Sequence, residues 1–454
     1  MSGGPGLVWF RRDLRLDHNP AWAAATSRHD EVVAVFVLEA ALMASGATAR
    51  RDLLLGHLRA LDADLRDHGG SLTVVDGPAR RAIPALVDAT GAAAVHANAD
   101  VSPFARRRDD TVAAALDVPV DWRHGLFVHR PGTVLTQDGH VSRVFTPFHR
   151  SWSATEREPW PDAGDATVLD VASDVASADL PDGGDPPMEP GAAAAWRRLE
   201  VWLERVDDYG ETRDRIDPES TSRLSADLRF GTLSPREVAD AVGSGTPGRD
   251  AFVRQLCWRD WWAHSMWERP ELVEQAAKPQ YDQIAWRDDD DDFDAWTGGR
   301  TGFPIVDAGM RQLVATGWMH NRVRMVCASF LVKDLLIDWR RGERFFRRHL
   351  LDGDPAQNVG NWQWVAGTGP DAAPYFRVFN PIAQSRRHDP DGSFIRRWVP
   401  ELAELDDDAV HEPSAAPALV AGAGIELGAD YPHPIVDHRA ARARALDAYQ
   451  AATG

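Results

Sequence analysis

The sequence predicts two domains of different class: an α/β domain on a doubly wound parallel sheet over residues 1–130, and a larger all-helical domain over 196–454. Short apolar runs alternate with helical patterns through the first 130 residues, the mark of strands laid side by side with crossover helices. From Pro161 to Ala195 the chain turns Asp-, Ala-, Pro- and Gly-rich and loses every amphipathic period, as a surface connector does. Beyond it helical patterns dominate, and 13 of the 18 tryptophans fall after residue 195, so the second domain has a core of its own.

The elements follow in order. "GLVWF" (6–10), "VVAVFVL" (32–38), "SLTVVDG" (71–77) and "AAVHAN" (93–98) are apolar runs of the length and β-branched content of buried parallel strands. Between the second and third lies "RRDLLLGHLRALDADLRDHG" (50–69), with leucines at helical spacing. No GxGxxG follows any strand, so a dinucleotide fingerprint is not indicated. Residues 131–195 are expected to connect the domains. In the second domain, "AFVRQLCWRDWWAHSMW" (251–267) and "GWMHNRVRMVCASFLVKDLLIDWR" (317–340) each read as one helix, and "RDDDDDFD" (287–294) as a solvated acidic loop. "DGDPAQNVGNWQW" (352–364) has no clean period and carries Gly353, Pro355 and Gly360, which reads as a loop with two tryptophans in it.

Composition narrows the function classes. Two cysteines, Cys257 and Cys327, without a CxxC, argue against a disulfide framework or a thiolate zinc site and fit a reducing, cytoplasmic setting. No apolar run reaches the length of a membrane span, and the arginines of "MSGGPGLVWFRRDLRL" interrupt any signal-peptide core. A formal charge of −19 argues against a general nucleic-acid coat. Yet residues 311–348 carry nine Arg or Lys against three acids, a local +6 suited to a polyanion. Arginine supplies all the basic residues but Lys278 and Lys333, as a GC-rich genome would produce, and the acid excess also fits a salt-loving host.

Several clusters could carry chemistry. "TSRLS" (221–225) sets three hydroxyls at a helix start, where side chains and free N–H groups can hold phosphate or simply cap the helix. Gln255, Trp258, Arg259 and Trp262 share one helix face, a set that suits a planar, hydrogen-bonding ligand or an aromatic core. Asn321, Arg324 and Met325 share another, with Arg322 pointing elsewhere, toward solvent or a phosphate. Asp352 and Asp354 flank a glycine. No further ligand stands at metal spacing, so no metal site is expected, and the carboxylates read as hydrogen-bond acceptors.

Taken together, "FRRDLRL" (10–16), "TSRLS", "WRDWW" (258–262), "TGFPIVDAGMRQL" (301–313), "GWMHNRVRM", "FLVKDLLIDWR", "DGDPAQNVGNWQW" and "DAAPYFRVFNP" (371–381) resemble the photolyase/cryptochrome flavoproteins, most nearly the bacterial cyclobutane pyrimidine dimer photolyases. The likeness runs in order along nearly the whole chain. It implies an N-terminal antenna domain and an FAD-binding helical domain. It also implies blue-light repair of UV-damaged DNA, by electron transfer from excited FADH⁻ to a flipped-out dimer. A monomer is expected.

Carried over by position, the resemblance implies that Tyr209, Thr221, Ser222, Leu224 and Ser225 hold the FAD phosphates and that Arg259 and Arg324 contact the cofactor. Asp352 and Asp354 would bond its ribityl or ring edge, and Asn358 would face flavin N5. Trp362, Trp339 and Trp286 correspond to an electron-transfer chain. Trp258 and Trp364 correspond to rings packed on the lesion, Asn321 and Met325 to residues touching it, and Arg213, Arg322 and Arg377 to the DNA-binding surface. Asn321 favours the cyclobutane dimer, since (6-4) enzymes carry histidine there. Gln255 departs from the glutamate of many cyclobutane dimer enzymes and also occurs in (6-4) enzymes and cryptochromes. Val273–Glu274 replaces a Cys–Lys pair that helps hold methenyltetrahydrofolate in some members, which makes an 8-hydroxy-5-deazaflavin antenna at least as plausible. The rival reading is a cryptochrome-type blue-light photoreceptor. The chain ends on "RAARARALDAYQAATG", of helical composition and without the extended tail of many cryptochromes, which favours repair.

Overall fold

The structure is a computed structural model that describes residues 3–44, 46–171, 179–216 and 220–453; part of the expected connector, 172–178, lies outside the described residues. The chain packs as two compact units, 1–210 with 222–270 and 211–221 with 271–454.

The first unit is built on a parallel sheet, with strands β1 (Gly6–Phe10), β2 (Glu31–Leu38), β3 (Thr73–Asp76), β4 (Ala94–Asn98) and β5 (Val120–Arg123) in the order β3-β2-β1-β4-β5. Every residue of the central strand β1 is buried, because helices cover both faces. Leu7 pairs with Val33 and Val95, and Trp9 with Val35. On one face these side chains meet Ile83 and Leu86, and each such aliphatic burial is worth about 1.5–3 kcal/mol. The four expected strands are present within a residue or two. Two strands were not expected: β5, whose "VDWR" is half-buried and carries two charges, and β6 (Thr167–Val168), which pairs with β2 from within the low-complexity stretch. Helix Phe145–Ala154 also lies in the segment expected to connect domains, and it presents Phe145, Phe148 and Trp152 as a buried stripe.

Among its described residues the second unit is helical, with one isolated bridge between Leu427 and Tyr431. Three sequence expectations are corrected here. Residues 317–340 do not form one helix. Gly317, at φ 69°, ends helix Pro304–Thr316, and His320 caps a new helix, Asn321–Ser329. A π-helical turn, Phe330–Asp334, follows. Leu336 then adopts φ 54°, which no helix accommodates, and Asp338 caps helix Trp339–His349. The acidic run is likewise not a loop. Asp289 caps helix Asp290–Thr297, whose first turn holds three aspartates against the positive end of the helix dipole. Arg287 bridges Asp289 and Asp292. "DGDPAQNVGNWQW" is the start of helix Pro355–Ala366, with Asp354 as its cap and Pro355 in its first turn.

Lys333 sits within the π-turn, 1% exposed. Its ammonium donates to the carbonyls of Ala366 (2.9 Å) and Tyr375 (3.3 Å) and lies 3.5 Å over the ring of Tyr449. Burial pulls its pKa down to about 7.

Candidate functional site

In the first unit the site residues hang on helix Pro247–Glu268, which Thr246 caps and Pro247 opens. Arg259 is buried. It donates to the carbonyls of Leu126 (2.6 Å) and Leu228 (3.0 Å), and its guanidinium lies 5.2 Å over Phe127. Leu228 belongs to the short helix Ser225–Phe230, so Arg259 fixes the element that begins at "TSRLS". In that turn Ser222 accepts a bond from the Leu224 N–H (3.3 Å), Ser225 is exposed, and Leu224 is buried. Arg223 takes φ 55°, rare for a side chain of its size. Gln255 is half-buried and donates back to the Ala251 carbonyl (3.3 Å). Tyr209 packs edge-on against Trp202 and Phe252.

Trp258 is half-buried in an aromatic cluster with Phe145, Trp261 and Trp262. Beside it Asp260 accepts from the N–H groups of Val128 (3.2 Å) and His129 (2.9 Å) and from Trp152 Nε1 (2.9 Å). Burial raises its pKa to about 6 against those hydrogen bonds. Sequence reading missed both Phe145 and Asp260. Phe145 lay in the expected connector, and Asp260 had no local pattern to set it apart from a surface acid.

In the second unit, helix Asn321–Ser329 places Asn321 at its first position, exposed, with the amide 3.7 Å from the Met325 sulfur. His320 Nδ1 accepts from the Arg322 N–H (3.1 Å), and burial lowers its pKa to about 4, so the cap is a neutral imidazole. Arg322, expected to face solvent or a phosphate, is half-buried. It pairs with Asp214 at 2.8 Å. Arg324 clamps Asp352 through both nitrogens (3.1 and 2.9 Å) and holds the Met319 carbonyl through Nε (2.8 Å). Asp354 accepts from the Gln357 N–H (3.0 Å). Asn358 is buried and donates its amide to Glu343, both backbone carbonyl (2.9 Å) and Oε1 (3.0 Å), which commits the nitrogen. Burial raises the pKa of Glu343. Arg213 is half-buried, and Arg377 is exposed in a turn whose N–H reaches the Pro374 carbonyl.

The second unit also holds the three tryptophans of the implied electron chain and Trp364, which is half-buried. Trp362 is buried, against Trp296 and Phe346. Trp339 is buried with the Arg340 guanidinium 4.7 Å over its ring. Trp286 meets Tyr449 edge-on at 6.0 Å. None of these ring neighbours is another member of the three.

These residues fit a phosphate-bearing flavin. The Thr221 hydroxyl is buried without a hydrogen-bond partner, as expected of a group waiting for a ligand oxygen. Asn358 offers an acceptor to a ring N–H, and the Arg324–Asp352 clamp offers a fixed polar edge. Among the described residues no group of three or more His, Cys, Asp or Glu could hold a metal ion, and no helix is long and apolar enough to cross a membrane.

Comparison with known proteins agrees. Residues 6–164 match the DNA photolyase domain and residues 252–451 match the FAD binding domain of DNA photolyase. The chain is 43% identical over 462 residues to a deoxyribodipyrimidine photo-lyase of Streptomyces griseus, covering 96% of this chain and 97% of that one. Its fold is similar to a bacterial class III photolyase from Agrobacterium tumefaciens, with a TM-score of 0.92, 38% identity and coverage of 100% and 98%. It is also similar to a Synechocystis cryptochrome, with a TM-score of 0.90, 27% identity and coverage of 98% and 100%. With both domain matches in place and an FAD-binding domain among them, the chain belongs to the photolyase/cryptochrome family.

Proposed function

We propose that the protein repairs cyclobutane pyrimidine dimers in DNA under blue light. Bound FAD, fully reduced, would supply the light absorption and the electron. The protein's residues bind, orient and exclude water. Thr221, Ser222 and Ser225 would take the phosphates, and Arg324 with Asp352 the polar edge of the cofactor. Asn358, its nitrogen committed to Glu343, would hold its carbonyl oxygen toward a ring N–H at N5. Trp286, Trp339 and Trp362 would carry electrons inward when the cofactor must be reduced.

Asn321 carries the choice of lesion. Its exposed amide sits at the first turn of a helix beside Met325, and an amide can donate to one carbonyl and accept from one imide N–H. A dimer is poorly stacked and can leave the duplex at low cost, to lie against aromatic faces such as Trp258 and Trp364. Arg213, Arg322 and Arg377 would meet the phosphates. The test mixes reduced protein with an oligonucleotide holding one thymine cyclobutane dimer and counts restored thymines in light and in darkness. Light-dependent restoration is expected. FAD binding without restoration of this lesion or of the (6-4) photoproduct would favour the blue-light sensor instead, the reading that likeness to a cryptochrome supports.

A further inference from the structure

Trp258 does not stand alone against a ligand. Phe145 stacks on it with ring centroids 3.6 Å apart and planes 7° from parallel. Aromatic pairs in cores usually lie offset or edge-to-face, so this near-complete overlap is an imposed arrangement. Helix Phe145–Ala154 imposes it. Phe145 packs on Trp258, Phe148 lies edge-on to His264 at 5.2 Å, and Trp152 donates to Asp260 at 2.9 Å, so three residues of one stripe grip helix Pro247–Glu268 between Trp258 and His264. Trp261 Nε1 adds a bond to the Ser142 carbonyl at 2.7 Å. Trp261 also packs against Trp258, with ring centroids 5.2 Å apart and planes at 78°. An indole has two faces, and Phe145, itself 5% exposed, covers one of them.

We propose that Phe145 is a positioning residue for lesion binding. It fixes the plane of Trp258 and leaves only the opposite face for an extruded pyrimidine dimer. The proposal rests on the reading of Trp258 as a lesion-facing ring. Without the phenyl plate the indole can tilt, and a tilted plate loses contact with a flat ligand while backbone contacts to DNA persist.

The test measures binding in darkness of the FAD-loaded protein to two duplexes, one with a single thymine cyclobutane dimer and one undamaged. Phe145→Leu keeps apolar volume and removes the plate, and Phe145→Met serves if the leucine variant fails to bind FAD. Phe145→Tyr keeps the plate. The ratio of the two affinities should fall roughly 2- to 12-fold in Phe145→Leu, the size of one aromatic pair, and return in Phe145→Tyr. An unchanged ratio, or equal loss on both duplexes, would overturn the proposal, since the latter is what general loosening produces. Trp258→Ala separates the two readings. If it too keeps full discrimination, the lesion-facing assignment of Trp258 fails; if it loses discrimination while Phe145→Leu does not, only the positioning role fails.

Discussion

Arg322 and Asp214 lie 2.8 Å apart, the arginine side chain 18% exposed and the aspartate 45%. Burial, the largest single influence, would raise the aspartate's pKa, but the hydrogen bond and charge of Arg322, with the charges of Arg213 and His388, together outweigh it and hold the group below its ordinary value. Such a half-exposed pair adds little stability. If Arg322 meets a DNA phosphate, as proposed, that phosphate must compete with the Asp214 carboxylate for the guanidinium. Asp214→Asn is therefore expected to tighten binding to undamaged duplex a few-fold. The slope of log affinity against log salt should steepen by up to about 0.9, one phosphate's worth. A salt titration of wild type and variant checks this, and an unchanged slope would mean that Arg322 meets no phosphate. The sequence showed the basic excess near Arg322 but not this partner, which lies more than a hundred residues away and carries no motif.

At the scale of elements, helices Trp339–His349 and Pro355–Ala366 meet at Gly342. A Cβ there would lie 2.2 Å from the outer edge of the Trp362 ring and 2.5 Å from Leu331. Gly342→Ala must move Trp362 or open the helix pair, and overpacking of this kind costs about 1–3 kcal/mol. Denaturant unfolding should show that loss, with altered Trp362 emission; full stability would mean that the two helices slide at no cost. This pair also shows what was legible. The buried strands and helix Pro247–Glu268 were readable because a repeating apolar pattern is local. Helix Pro355–Ala366 was misread, although Asp354–Pro355 is a helix-start signal, because glycines and amides masked its period. Residues 317–340 were misread the other way. A continuous apolar stripe hid the breaks at Gly317 and Leu336, and only the first of these had a residue to announce it. Within the site, residue types on one helix face were legible. Glu343 holding Asn358 and Phe145 covering Trp258 were not, since both depend on which elements pack together.

Over the whole molecule the acid response is uneven. Burial lowers the pKa of His57 and His264 to about 3 and of His96, His124 and His129 to about 4, and all five belong to the first unit. Unfolded histidine titrates near 6.5. Between that value and about 4 the unfolded chain binds protons that the folded unit refuses, so stability is present above pH 6.5 and is lost as pH falls through this window. In the second unit His320 shows the same effect. Hydrogen exchange at pH 7 and pH 5 should show protection lost first in β1, β2 and β4. Uniform loss along the chain would contradict the difference. The scarcity of lysine also matters at this scale. With Lys333 sealed under Tyr449, Lys278 is the one lysine side chain that solvent can reach, half-buried and 5.9 Å from the Tyr281 ring. Apart from the amino terminus, an amine-reactive dye would mark the native protein at that single place, next to the aromatic cluster around Trp286, and so give a reporter there without any engineered cysteine.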